Sequence, residues 1–436
     1  MSSVTTPIES RPRIAVRTLA VEVLDGPDKG VRAEATSETL SVGAGEGNDL
    51  KLTDGTVSRF HLELTRDEHG VRLSDLGSTN GTLVGDLRID KGTVPPGSEM
   101  VVGRTRLRVD DGEGTTAELY AGEQLNEMRG RTKTMRRLMA RVGRVARATV
   151  PVLMIGESGT GKELVARAIH EGSERASGPF VTVDCASLAP TLIASELFGH
   201  EKGAFTGAHR QHLGAFERAN GGTLFLDEIG ELPAELQPQL LGALERRRFR
   251  RVGGSSEIEV DVRVVSATNR DLRGEVNAGT FRLDLYYRIA VVVLKIPALR
   301  QRTEDIPLLV EHFLREAGHD GSVEEAVPSE VLASLSTYRW PGNVRELRNW
   351  VEATLAMGES PELMDDLSPA TGGDCIQDRV VGLPYKDARE AVLNDFEQRY
   401  CAHLIEKADG NVTQAAKVAR MDRSYLIKLL QKHGLK

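Results

Sequence analysis

The chain has 436 residues, 40% hydrophobic and 28% charged, with a formal net charge of −8. That length exceeds one ordinary domain and suggests roughly two to four. The composition is that of globular protein, and the net acidity excludes a chain-wide nucleic-acid footprint. No apolar run approaches the ~20 residues that span a bilayer, and the first residues (MSSVTTPIESRPRIAV) lack a basic-then-apolar leader, so a cytoplasmic protein without membrane contact is expected. The three cysteines, Cys185, Cys375 and Cys401, are too scattered for a disulfide framework or a metal cluster.

In chain order, residues 14–110 carry short alternating runs (IAVRTLAVEVL, HLELTRD, VRLSDL, TRLRVD) between Gly, Asp and Asn turns, which predicts an all-β sandwich. Residues 111–125, acidic and small, read as a linker. Over 126–295 apolar runs (VPVLMIG, PFVTVD, GGTLFLD, DVRVVSATN) alternate with helical stretches, the pattern of an α/β core with a parallel sheet. Residues 296–360 lose the strands and read as a helical lid. Residues 361–388 read as a second linker, and 389–436 as an all-α domain. From Asp409 onward six Lys or Arg face two Asp, so the basic charge concentrates there and marks the place for DNA contact.

Gly156-Glu157-Ser158-Gly159-Thr160-Gly161-Lys162-Glu163 follows an apolar run and precedes ELVARAIH, giving strand, glycine loop and helix. Glycines let backbone N–H groups curl around phosphates, the helix N-terminus adds positive charge, and Lys162 reaches the terminal phosphates. A Ser or Thr usually follows that lysine to touch Mg²⁺, but here it is Glu163. About 65 residues on, GGTLFLDE ends a strand in two carboxylates. Asp227 is expected to hold Mg²⁺ through water, and Glu228 to orient the attacking water. Asn269, ending VRVVSATN, could sense the γ-phosphate or be an ordinary strand-end asparagine. Arg282 and Arg288 in FRLDLYYRIAV read on bare sequence as solvated charges, unless a nucleotide sits at a subunit boundary where a neighbour's arginine can act. Between these motifs, Gly203-Ala204-Phe205-Thr206-Gly207-Ala208 isolates one aromatic among small residues. Neither a core segment nor a helix explains it, since helical glycines cost about 1 kcal/mol each against alanine.

Together GESGTGKE, ELFGHEKGAFTGA, GGTLFLDEIGELP, SATNRDL, FRLDLYYRI and WPGNVRELRN resemble the AAA+ ATPase of the sigma-54-dependent transcription activators, from about Arg129 to Gly358. The resemblance makes Glu163 the usual residue at its position. It implies ATP and Mg²⁺ as cofactors and a homo-oligomer, dimer to hexamer. It makes GAFTGA a mobile loop whose Phe205 and Thr206 contact sigma-54 RNA polymerase, and it assigns Arg282 and Arg288 as trans-acting arginines and Arg345 as a lid arginine facing the nucleotide. In the family a strand-end asparagine holds the catalytic glutamate, and here Asp184 stands there; an ionised aspartate cannot donate that hydrogen bond.

The N-terminal sandwich resembles a forkhead-associated (FHA) domain through Val57-Ser58-Arg59-Phe60-His61 and Asp75-Leu76-Gly77-Ser78-Thr79-Asn80-Gly81-Thr82. The resemblance implies a phosphothreonine protein or a Ser/Thr kinase as partner, with Ser58 and Arg59 on phosphate, Asn80 on peptide backbone and His61 bracing the loop. Ala44 replaces an expected arginine, which weakens the site by about 1.5–3 kcal/mol if one charge-assisted bond is lost. The alternative is a self-docking module. The C-terminus resembles a Fis-type helix-turn-helix: Asn411-Val412-Thr413 caps TQAAKVAR, a turn follows near Arg420-Met421-Asp422, and Arg423, Ser424, Tyr425 and Lys428 open a recognition helix for upstream enhancer DNA. Its alternative is a dimerising hairpin. Two other functions stay open: a phosphopeptide scaffold with a degenerate ATPase, and a regulator of the main sigma factor.

Overall fold

The computed structural model describes residues 12–35, 39–66, 70–186, 190–319 and 321–361, with 363, 412, 421 and 423–432. The chain divides into Met1–Glu362 and Leu363–Lys436.

The first unit begins with two facing sheets of five and six strands. Thr105–Asp111 shows why: Thr105, Leu107 and Val109 are buried while the residues between them face outward, the period-2 pattern of a half-covered strand. Leu19, Val21, Leu40, Leu62, Leu64 and Leu73 fill the space between the sheets. Residues 111–125, read as a linker, differ from that expectation. Thr115–Glu118 pairs antiparallel with Arg13–Val16, and Leu119 is buried behind it. An acidic, small-residue stretch hides a strand when its partner lies a hundred positions earlier.

The α/β core follows. Helix α1 (Lys133–Ala146) starts at Thr132, whose hydroxyl accepts the Met135 N–H. Asp305, fully buried, accepts the N–H groups of Arg131 and Thr132 at 2.7 and 2.8 Å and ties the lid to this helix start. Strand β1 (Val152–Ile155) leads to α2 (Lys162–Glu171), then come β2 (Phe180–Asp184), β3 (Thr223–Asp227), β4 (Arg263–Thr268) and β5 (Val292–Lys295). All pair in parallel, in the order β2-β3-β4-β1-β5. Every residue of β4 is buried, as both faces of a parallel sheet are covered. Two short helices, α3 (Leu272–Ala278) and α4 (Leu283–Ile289), cross between β4 and β5. The lid is helical and ends in α5 (Asn343–Met357). Phe60 and Leu76, from the sandwich, pack into the α/β core with Tyr286 and Leu285.

In the second unit the helix Arg423–Lys432 is described, with Leu426 and Leu430 buried and Lys428 exposed. The expected first helix, most of the turn and the second linker lie outside the described residues. Among the described residues no helix is long and apolar enough to cross a membrane.

Candidate nucleotide site and contact loops

The glycine loop sits between β1 and α2, at the carboxyl ends of the strands. Gly159 and Gly161 take left-handed φ values of 76° and 98°, which frees the loop's N–H groups to turn inward. Lys162 is 6% exposed. Its ammonium donates to Glu228 Oε1 at 2.9 Å and to the Gly156 carbonyl at 3.1 Å. The other Glu228 oxygen accepts the Asn269 N–H at 3.0 Å, while the Asn269 side chain is exposed. Glu228 itself holds a left-handed φ of 47°, uncommon for a residue with a side chain and typical of strained functional positions. The structure thus brings Lys162, Asp227, Glu228 and Asn269 together at the carboxyl end of the sheet.

Asp184 pairs in register with Asp227 on the neighbouring strand. Its carboxylate accepts the Ala186 N–H at 2.9 Å. Glu228 is held by Lys162 and the Asn269 backbone N–H. Burial pushes the Asp227 carboxyl up from its ordinary range, and the nearby charges of Glu228 and Asp184 push the same way. A cation beside Asp227 would relieve that repulsion, so the donor set suits Mg²⁺. Among the described residues no group of three or more His, Cys, Asp or Glu side chains could hold a metal ion. Glu163 points elsewhere and pairs with Arg167 at 3.1 Å, one turn along α2. The Cys185 thiol is buried and pushed up to about 12, so it is inert.

The lid grips the crest of this loop. Arg300 reaches Glu157 with two guanidinium nitrogens, one at 2.8 Å, and holds that carboxyl below its ordinary range. Asn343 donates to Glu157 at 3.2 Å and to the Ser158 carbonyl at 3.0 Å. Arg345 donates to the Ser158 hydroxyl at 3.1 Å, and the Val344 N–H to the Gly159 carbonyl at 3.0 Å. Thr160 lies buried below, its hydroxyl on the Glu157 carbonyl at 2.7 Å. Sequence reasoning assigned Arg345 but missed Arg300 and Asn343. The signal for Asn343 is conformational: it is fully buried at a φ of 54°.

Arg282 precedes α4 and Arg288 lies in its last turn; both are exposed. Arg282 pairs with Asp284 at 2.7 Å and Arg288 donates to the Leu244 carbonyl at 2.8 Å. The Gly203–Ala208 loop stands apart from the glycine loop. Thr206 and Phe205 are exposed, Phe205 at 38%. The Phe205 ring rests edge-on against His200 at 4.8 Å. Gly203 donates its N–H to the Ala208 carbonyl at 2.8 Å, and Ala204 packs near Gly253 on the adjoining loop. Arg251, on that loop, bonds both Glu201 and Glu217.

At the end of the sandwich, Ser58, Arg59 and Asn80 come together. The Ser58 hydroxyl accepts the Thr79 N–H at 3.0 Å and Asn80 donates to the Thr56 carbonyl at 2.7 Å. Arg59 and Asn80 are exposed. His61 is fully buried; its Nδ1 accepts the Ser58 N–H at 3.1 Å and its Nε2 lies 3.1 Å from the Gly81 carbonyl, which is the bracing role expected of it. Burial lowers its pKa.

Residues 128–295 match the sigma-54 interaction domain and residues 300–373 the AAA+ ATPase lid domain. The transcriptional regulatory protein GlrR of Escherichia coli K12 is 46% identical over 308 residues, 70% of this chain and 67% of that protein. The chain belongs to the sigma-54-dependent transcription activators. The Nif-specific regulatory protein of Azotobacter vinelandii, also 46% identical, aligns over 71% of this activator and 59% of its own length. NtrX from Brucella abortus in complex with ADP is 40% identical with a TM-score of 0.51, across 72% of this chain and 70% of that one. The activator is an ATPase. Residues 22–113 match the cytoplasmic domain of an inner membrane component of type III secretion. Over the same region a solved FHA domain, described by its phosphothreonine-dependent interactions, is 28% identical with a TM-score of 0.20, across 21% of this chain and 95% of that one.

Proposed function

We propose that this activator binds enhancer DNA upstream of a promoter, assembles into a ring, and uses ATP hydrolysis to remodel the closed sigma-54 polymerase complex. The observation that carries the reading is the pairing, within one core, of a Lys162–Glu228 couple with an exposed Phe205 on a glycine-flanked loop. When ATP enters, its phosphates draw Lys162 from Glu228. Glu228 then orients and polarises the attacking water, Asn269 reads the γ-phosphate, and Arg345 follows it from the lid. Asp227 would hold Mg²⁺, which would supply charge neutralisation on the phosphates. Arg282 and Arg288 act on the neighbouring subunit's nucleotide, leaving Asp284 and Leu244 to do so. Phe205 and Thr206 then press against sigma-54: an exposed aromatic offers concentrated apolar area to a partner.

The sandwich is an FHA domain, supported by its two sheets of five and six strands and by the clustering of Ser58, Arg59 and Asn80. It takes a phosphothreonine signal, with Ala44 leaving the phosphate one arginine short. Arg423, Ser424, Tyr425 and Lys428 open the helix that reads the major groove.

The test is Thr206→Ala. It is expected to keep DNA binding and phosphate release yet give no transcript from a sigma-54 promoter; retained transcription overturns the reading. A scaffold with a dead ATPase would instead show no turnover at any protein concentration, with Lys162→Ala indistinguishable from wild type.

A further inference from the structure

The sandwich meets the ATPase through the loops that carry its recognition residues. Phe60, next to Arg59, is 1% exposed because the ATPase covers it. Its ring lies edge-on to Tyr286 at 5.2 Å and to Tyr287 at 6.2 Å, with the Arg273 guanidinium 5.6 Å from its centre. Asn277 holds the backbone: its amide donates to the Phe60 carbonyl at 2.5 Å and the Leu76 carbonyl at 2.9 Å, and its oxygen accepts the Phe60 N–H at 3.4 Å. The Tyr287 hydroxyl donates to the Glu46 carbonyl. Below the loops, Glu63 takes Arg273 at 3.1 Å and also Lys295. Three loops, 44–49, 57–61 and 76–81, are thereby bound by α3 and α4. Ser58, Arg59 and Asn80 lie on two of these loops, and Ala44 on the third.

We propose that the recognition loops of the FHA domain are one surface with two occupants, the α3–α4 helix pair of its own ATPase and a phosphothreonine segment, which compete for it. The proposal rests on the FHA reading above. Arg59 and Asn80 stay exposed at the rim, so a phosphate can be caught while the domain is docked. The residues flanking the phosphothreonine must then run along the crest of the loops, where Tyr287 and Asn277 sit. Displacement leaves no buried polar group stranded, since the Phe60 N–H and carbonyl pass from Asn277 to peptide or water. Phe60 explains why docking holds without ligand: an aromatic on an exposed loop crest gains by burying its ring between two tyrosines. Because Arg282 immediately precedes α4 and Arg288 lies in its last turn, capture of the ligand is felt at the helix that sets the position of both arginines.

The experiment uses the full chain and a degenerate phosphothreonine peptide pool with its unphosphorylated counterpart. Asn277→Ala and Arg273→Glu weaken docking from the ATPase side without touching the FHA domain. Each is expected to bind the phosphorylated pool about tenfold more tightly than wild type, because the competent, undocked fraction rises. Adding Glu63→Arg to Arg273→Glu brings affinity part of the way back toward wild type, short of full recovery because Lys295 loses its partner, and Arg59→Ala abolishes binding in every background. Saturating wild type with the pool raises amide hydrogen exchange over 272–289. Wild-type affinity in both ATPase-side variants, or exchange unmoved by saturation, overturns competition. If no protein binds the pool, the phosphothreonine reading falls and competition with it. Exchange at Phe60 in Asn277→Ala then tests docking alone, and an unchanged rate there overturns docking too.

Discussion

The loop Gly156–Gly161 and the loop Gly203–Gly207 both set glycines at left-handed φ, Gly159 at 76° and Gly161 at 98° in one, Gly203 at 86° and Gly207 at 105° in the other. Their surroundings are opposite. A Cβ on Gly159 would stand 2.2 Å from the Gly342 carbonyl, whereas one on Gly203 or Gly207 would meet nothing within 4 Å. The first loop needs glycine so that the lid can press onto it; the second needs it so that the chain can turn, with open space around it. One is held by Arg300, Asn343 and Arg345 at its crest, the other mainly by its own backbone hydrogen bonds, the Phe205–His200 contact and the packing of Ala204 near Gly253. A clamped loop and an open one are thus built from the same residue on one core.

The comparison breaks first at Lys162. Lys162→Ala removes the charge aimed at the phosphates and is expected to lower phosphate release by about 10²–10³-fold, the cost of one preorganised electrostatic partner. A loss below tenfold would mean the glycine loop is not the hydrolytic centre. Gly159→Ala comes next. The added methyl must push back the Gly342 carbonyl and strain the backbone, so nucleotide affinity should fall by tenfold or more, about 1.4 kcal/mol, in a titration with a fluorescent nucleotide.

A smaller effect is expected at Glu157, where the lid contact is half-exposed and worth about 0.2–1 kcal/mol. Glu157→Gln should speed amide exchange over 343–345 by a few fold. The pH dependence carries a sign. Arg300 depresses the Glu157 carboxyl, so the contact is fully present above its ordinary value of 4.5 and fades as pH falls through the depressed one. In Glu157→Gln that acid sensitivity should vanish.

Much of this was legible in residues that stand close together. The glycine loop, the Asp227–Glu228 strand end and the lone Phe205 are local patterns in which spacing alone implies chemistry. What was not legible joins distant positions: Glu157 to Arg300, Phe60 to Asn277, Arg13–Val16 to Thr115–Glu118. An arginine in LRQR carries no local sign that its partner sits on a phosphate loop, and Asn277 reads as a polar residue on a short helix. Phe60 was quoted in the recognition motif, yet its burial depends on tyrosines more than 200 positions away. The Asp184 departure was visible, but the hold of Lys162 and the Asn269 N–H on Glu228 emerged only from the sheet order.

Gly203→Ala should give the smallest effect, and it separates conformation from crowding. At φ 86° an alanine is strained by about 1–2 kcal/mol, yet no neighbour obstructs its methyl. The strain can be relieved by letting the exposed loop shift, because Gly203 to Ala208 is held mainly by its own backbone bonds. Melting temperature should therefore drop by a few degrees at most for a chain of this size. Phosphate release should stay at the wild-type rate, since the loop lies apart from Lys162 and Glu228. Transcription from a sigma-54 promoter should fall, because the shifted loop presents Phe205 at the wrong angle. If phosphate release falls in step with transcription, the two loops are not separable, and the contrast between a clamped glycine and a free one loses its basis.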